Sequence, residues 1–129
     1  MAQIKIYALR SHWTSRRKQL SDTIHACVCE SLGLPENKRF HRFILLDKGD
    51  FIYPDGRSDN YLIIEITMMS GRTIAARKGL IRLLYNRLAN DLQLALNDIE
   101  VCITETPPCN WGFRGQHGDE VKLNYAINV

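Results

Sequence analysis

Four cysteines, four histidines and a scatter of arginines are the residues of this 129-residue chain whose chemistry bears first on function. Cys27-Val28-Cys29 is a C-x-C element. It fits neither the C-x-x-C redox pattern nor the usual spacing of zinc ligands. His12, His25, His41 and His117 make no short-range pair at metal-ligand spacing either. Cys102 and Cys109 join the other two as reduced structural thiols, and His25, between Ile24 and Val28, reads as a structural helix histidine. No metal and no cofactor is expected. Arg72 is different: it lies just after an apolar run and just before Thr73, where a helix begins. A guanidinium beside the free amides of a helix N-terminus is a carboxylate-binding arrangement. Glu100 and Glu105 straddle a strand and lack the facing geometry of a catalytic carboxylate pair.

The remaining cations argue for a small anion over a polyanion. The net charge is +3. It is spread over Arg10, Arg16, Arg17 and Lys18, then Lys38, Arg39 and Arg42, then Arg72, Arg77, Lys78, Arg82 and Arg87, with acids or apolar residues between. A nucleic-acid binder carries a denser basic stripe, so no nucleic-acid partner is expected. No apolar run approaches the roughly 18–20 residues of a membrane span, and the N-terminal residues do not follow a signal-peptide pattern. The expectation is a cytoplasmic protein with no membrane partner.

The elements that must position these residues follow from periodicity. Ile4, Ile6 and Ala8 alternate with Gln3, Lys5 and Tyr7, the period of a half-buried strand. Thr14 is read as the cap of a helix running to about Ser31, with Leu20, Ile24, Cys27, Val28 and Leu32 turned inward. Gly33 and Pro35 stop it. Phe40, Arg42, Ile44 and Leu46 form one face of a second strand, Phe43 and Leu45 the other. Phe51-Ile52-Tyr53 is read as a short edge strand between turns. Tyr61 to Met69 is a nearly unbroken apolar strand, as at the centre of a sheet. Thr73 caps a second helix with Leu80, Leu84, Leu88 and Leu92 in line, and Ile99, Val101 and Ile103 make a last strand. A shift of 60 lays Ile4 on Ile64, Ile6 on Ile66, Leu20 on Leu80, Ile24 on Leu84 and Val28 on Leu88, while a shift of 59 lays Phe40 on Ile99 and Ile44 on Ile103.

The reading is therefore an α/β (α+β) chain of two tandem βαβ units. They form one mostly parallel four-stranded sheet with two helices on one face. Residues 1–58 make the first unit and 59–106 the second. Residues 107–129 form a C-terminal arm or hairpin, with Val121, Leu123 and Tyr125 as its strand. One sheet face lacks a helical cover, which points to oligomerisation.

Three stretches carry a resemblance that spans nearly the whole chain. Gly33-Leu34-Pro35-Glu36-Asn37-Lys38-Arg39-Phe40 is similar to a G-V-P-x-x-D-R-F/Y segment. Arg57-Ser58-Asp59, running through Ile63-Ile64-Glu65-Ile66-Thr67 to Gly71-Arg72-Thr73, is similar to R-S-D-x-x-x-I-I-x-I-T followed by G-R-T/S. Asn110-Trp111-Gly112-Phe113-Arg114-Gly115 is similar to N-W-S-F-G-N-G. Together they resemble the tautomerase superfamily, in the branch of malonate semialdehyde decarboxylase and the 4-oxalocrotonate tautomerase-like proteins. The resemblance implies a homotrimer that binds a small carboxylate. It also implies a catalytic N-terminal proline amine in a pocket with arginines, exposed by loss of the initiator Met.

On that resemblance Ala2 stands where the proline would be, and Arg72 on the substrate-carboxylate arginine. Arg42 lies near a second arginine, Lys38 where decarboxylase-like members carry an aspartate, and Trp111 on an aromatic that lines the pocket. With Met1 removed, Ala2 offers a primary amine with a reference pKa of about 7.7–8.0, which burial and nearby arginines lower. With Met1 retained, the amine is displaced by up to about 3.5 Å of chain, enough to forfeit positional catalysis. Two functions follow. One is a keto–enol tautomerase or isomerase acting on a small α-keto or enol carboxylate, with Ala2 and Arg72 as its catalytic pair. The other is a non-catalytic binding or structural trimer that has lost the proline.

Overall fold

The computed structural model describes residues 2–121 and 125–127. Alternation of buried and open positions builds β1 (Ala2–Leu9), followed by a short helix α1 (Arg10–Trp13) and the long helix α2 (Arg17–Leu32). The second strand is β2 (His41–Leu46), the third β3 (Leu62–Met69), then helix α3 (Ile74–Asp91) and strand β4 (Ile99–Thr106). A small hairpin, β5 (Gly112–Phe113) and β6 (Gln116–His117), follows. The sheet order is β2-β1-β3-β4. Both outer pairs are parallel, as βαβ units require, and the central pair β1–β3 is antiparallel. No helix among the described residues is long and apolar enough to cross a membrane.

The register shows how the two units are related. Ile4 lies opposite Ile66 and Ile6 opposite Ile64. The shift of 60 exchanges these two pairs, so a local twofold axis passes through the Lys5–Glu65 pair. Ile4 also pairs with His41, and Ile64 with Val101, so the same shift carries one parallel ladder onto the other. The shift of 59 expected for the second strands is thereby corrected. Phe43, not Ile44, matches Ile103, because both point to the helix side and pack against the core.

Both helices cover that side. Leu20, Ile24 and Val28 of α2 and Leu80, Leu84 and Leu88 of α3 are buried against Ile4, Ile6, Leu62, Ile64 and Ile66. Gly33 ends α2 in the left-handed region at φ 68°, its N–H donating to Cys29 O at 2.9 Å. Thr73 caps α3 by accepting the Ala76 N–H at 3.1 Å. Thr14 does not cap α2. Its own backbone is already helical, so its hydroxyl donates back to Arg10 O at 2.6 Å, and a tight turn at Thr14–Arg16 joins α1 to α2.

The opposite sheet face is mixed: Lys5, Tyr7, Arg42, Ile44, Glu65 and Thr67 show on it in the paired register. Phe51–Tyr53 is not a strand. The rings of Phe51, Tyr53 and Tyr61 stack at 5.0–5.5 Å and pack on Leu9, covering one end of this face. Within the C-terminal stretch the described residues form a tight helical turn at Pro108–Asn110 and the short hairpin, and Tyr125 packs against the core. Leu123, expected on a strand there, lies outside the described residues, as does Met1.

A polar knot joins α2 to the start of β2. Ser21 Oγ and His41 Nδ1 are 2.8 Å apart, the His25 and His41 rings meet edge to face at 5.9 Å, and His25 Nε2 donates to Glu36 O at 2.7 Å. Arg39 binds Asp22 at 2.6 Å. Burial, aided by His25 and Arg39 and opposed by Asp22, pulls His41 down to about 4. His41 is neutral in the fold and protonates earlier in the unfolded chain. Its contribution is complete above pH 6.5 or so and drains away as pH falls toward 4. Asp22, held at about 2 by Lys18 and Arg39, acts only below that window. Urea melts should therefore show a midpoint that falls between pH 7 and 4.5, with a flatter profile in His41→Asn; identical slopes in both would remove His41 as the cause.

The hairpin is held by a close approach at Gly118, whose N–H donates to Trp111 O at 2.8 Å. A Cβ at Gly118 would lie 2.4 Å from Pro108 O, 2.7 Å from Trp111 Cβ and 3.0 Å from Met69 Cε. Gly118→Ala should cost about 1–3 kcal/mol through this overpacking and shift the Trp emission. An unchanged melt and spectrum would show that the hairpin is not seated on Met69.

Candidate functional site

The antiparallel pairing of β1 and β3 brings the start of the chain beside the end of β3. Ala2 is opposite Met68, and Met68 is opposite Glu105 on β4, so the three form one row across the sheet on its helix side. Ala2 is buried in the core cluster. One residue beyond β3, the ladder continues with Ser70 N–H donating to Thr106 O at 3.0 Å. Gly71, at φ 135°, then turns the chain through a conformation that side chains disfavour, and Arg72 follows immediately before the Thr73 cap.

Arg72 is 4% exposed. Nη1 donates to Met69 O at 3.3 Å, while Nε and Nη2 have no hydrogen-bond partner among the described residues. Burial lowers its pKa, and the electrostatic influence of Tyr125 and Glu105 opposes that fall. A buried guanidinium with two unmet N–H directions is costly unless something accepts from it. The unmet groups are Nε and one terminal nitrogen, a geometry suited to the fork-to-fork contact with a carboxylate.

Beside this end of the sheet lies a cavity of about 440 Å³, lined by Met69, Pro108, Gly118, Asp119 and Tyr125 among others. Trp111 forms part of its support: its ring is buried, with Nε1 donating to Thr106 O at 3.2 Å. Glu105 is bound through Oε1 by Arg77 of α3, and its Oε2 is buried without a partner among the described residues.

Arg42 and Lys38 sit on the other flank. Arg42 is exposed on the sheet face that the helices leave open, its Nη2 donating to Gln3 Oε1 at 3.4 Å. It borders a separate groove of about 370 Å³ with Gln3, Arg39, Phe40 and His41. Lys38 is half-buried in the turn before β2, its N–H donating to Pro35 O at 3.0 Å. Within one chain, then, Ala2, Arg72 and Trp111 gather at the β3–β4 side of the N-terminal end, and Arg42 and Lys38 at the β2 side. Cys27 and Cys29 of α2 lie apart from both, whereas Cys109 is exposed in the turn between Pro108 and Trp111. Cys27 is buried in the core, which pushes its thiol up to about 11 and makes it a poor nucleophile.

Glu105, Met69 and Tyr125 were not anticipated as site residues. Glu105 continues the alternation Ile99, Val101, Ile103, so its inward direction was readable from the strand period. Met69 and Tyr125 reach the cavity through the turn and tail, which no local pattern reveals.

Comparison with known proteins agrees with this fold. A family model described as tautomerase enzyme matches residues 38–114. Probable tautomerase YusQ of Bacillus subtilis (strain 168) is 26% identical over 101 residues, which cover 74% of this chain and 80% of that protein. Malonate semialdehyde decarboxylase superposes with a TM-score of 0.79, covering 88% of this chain and 92% of the other at 22% identity. A wild-type fused 4-OT, solved as an asymmetric trimer, gives 0.79 over 91% and 96% at 22% identity. With its two βαβ units joined through an antiparallel centre and a family model covering more than half of its length, this chain belongs to the tautomerase family.

Proposed function

We propose that the protein binds a small α-keto or enol carboxylate and moves a proton between carbon and oxygen. The observation that carries this reading is Arg72: a buried guanidinium at a strand-to-helix turn, with Nε and Nη2 unmet among the described residues, at the sheet end where the chain begins. The ligand carboxylate accepts from those two nitrogens. The α-amine of Ala2, freed by removal of Met1, takes a proton from the carbon next to the keto group. The electron pair left behind becomes the C=C bond, and the ketone oxygen gains a proton from solvent. An amine with a reference pKa of about 7.7–8.0, lowered by burial, is suited to such a transfer near neutrality.

A homotrimer belongs to the same reading. The sheet face without helices offers Ile44 and Ile63 beside charged residues, and the fused 4-OT that this chain superposes on is a trimer. Assembly of that kind would let the Arg42 groove, with Lys38 near it, contribute to a neighbouring subunit's pocket. Trp111 would line that pocket from the tail.

A second reading has its own observation: residue 2 is Ala2, which cannot supply a secondary amine, and Lys38 stands where the decarboxylase-like pattern has an acid. That combination suits a ligand-binding trimer without catalysis. Mass spectrometry of the natively expressed N-terminus separates the two, since retained Met1 favours binding alone and a free Ala2 amine favours catalysis.

The assay is ketonisation of 2-hydroxymuconate, or deuterium exchange at C3 of phenylpyruvate, with the purified full chain. Arg72→Ala should weaken carboxylate binding at least tenfold and lower the turnover accordingly, because a charged hydrogen-bond pair is worth about 1.5–3 kcal/mol. Turnover unchanged by Arg72→Ala would remove Arg72 from the mechanism, and no exchange in the wild type would leave only the binding function.

A further inference from the structure

The second repeat carries a carboxylate where the first carries a leucine. The shift of 60 that superposes the two ladders places Glu105 on Leu45, and Leu45 packs against the core as a helix-side position demands. Glu105 occupies the same inward place near the end of β4, in line with Met68 and Ala2. Arg77 of α3 binds Oε1 and fixes the carboxylate, while Oε2 stays buried with no partner among the described residues. Arg72 presents the complementary defect, Nε and Nη2 unmet, and Glu105 contributes to its electrostatic environment. No ion pair joins the two among the described residues, although both are unsatisfied. A buried guanidinium and a part-buried carboxylate, each with a polar atom unmet among the described residues, are less costly when one ligand supplies partners to both. Such a ligand needs an acceptor pair for Arg72 and a donor close by for Glu105.

We propose that Glu105 determines specificity in this site: Oε2 accepts a hydrogen bond from a hydroxyl on the carbon adjacent to the carboxylate held by Arg72. The site thereby selects 2-hydroxy and enol carboxylates over carboxylates that lack this donor. A keto oxygen in the same place meets a carboxylate oxygen with no proton between them and is disfavoured, so the bound ligand shifts toward its enol form. The inference rests on the reading of Arg72 as the carboxylate anchor and adds the identity of the group beside it.

Calorimetric titration of the purified full chain with 3-phenyllactate and with 3-phenylpropanoate, which differ in the 2-hydroxyl, tests this. The hydroxy acid should bind the wild type about tenfold more tightly, the effect of one hydrogen bond to a charged group. Glu105→Leu restores the residue of the first repeat and should abolish the preference, the two acids binding the folded variant with equal affinity. Should that variant fail to fold, Glu105→Gln, with a neutral and weaker acceptor, should reduce the preference toward unity. A preference that survives in the folded variant, a wild type with no preference, or equal weakening of both ligands would overturn the role of Glu105. The anchor is tested separately: Arg72→Ala should lose both ligands. If it binds them as the wild type does, or if neither ligand binds the wild type, the carboxylate site itself is wrong and the role of Glu105 falls with it.

Discussion

The antiparallel pairing of β1 with β3 is the constraint on which the rest of the molecule depends. Each βαβ unit alone makes only a two-stranded parallel ladder under one helix, too little sheet to bury two helical faces. Joining the units through Ile4–Ile66 and Ile6–Ile64 gives both helices a common floor and closes one core. The same pairing runs the strands in opposite senses, so the first residues of β1 and the last of β3 meet at one end. The chain's start, a helix start and a buried arginine are thus brought together by backbone hydrogen bonding, without any loop reaching across.

The local twofold relation also explains where the polar groups fall. Equivalent places in the two units are apolar through most of the core, as Leu20 and Leu80 or Ile24 and Leu84 show. The equivalence breaks near the end of the second unit, where Glu105 replaces the counterpart of Leu45 and Arg72 is buried. The corresponding place after β1 carries His12, which is exposed. Burying charge costs stability, and of the two places related by the repeat only that of Arg72 is buried. A purely structural repeat would have no reason to differ in that way. That asymmetry is the feature on which the proposed ligand site rests.

Much of the fold was legible in the sequence because burial on one face leaves a strict period. Ile4, Ile6 and Ala8, the leucine series from Leu80 to Leu92, and the glycine stop at Gly33 each specify an element locally. Thr14 misled because a threonine can bond backward to the preceding turn as readily as forward to the next. Phe51–Tyr53 misled because an alternating aromatic run serves equally as a stacked loop cover. The one-residue error in aligning the second strands came from matching apolar residues that lie on opposite faces. Arg72 was legible as a helix-start cation. Its burial and the loneliness of Glu105 Oε2 were not, since both depend on Arg77 and on a tail that returns from far along the chain.

The central claim is that Arg72 anchors a carboxylate at the sheet end shared by Ala2 and Glu105. A crystal structure of the full-length protein with phenylpyruvate bound tests it most directly. The account predicts carboxylate oxygens at about 2.7–2.9 Å from Nε and Nη2 of Arg72. A ligand held instead in the groove beside Arg42, with the Arg72 guanidinium still bonded only to Met69 O, would contradict it.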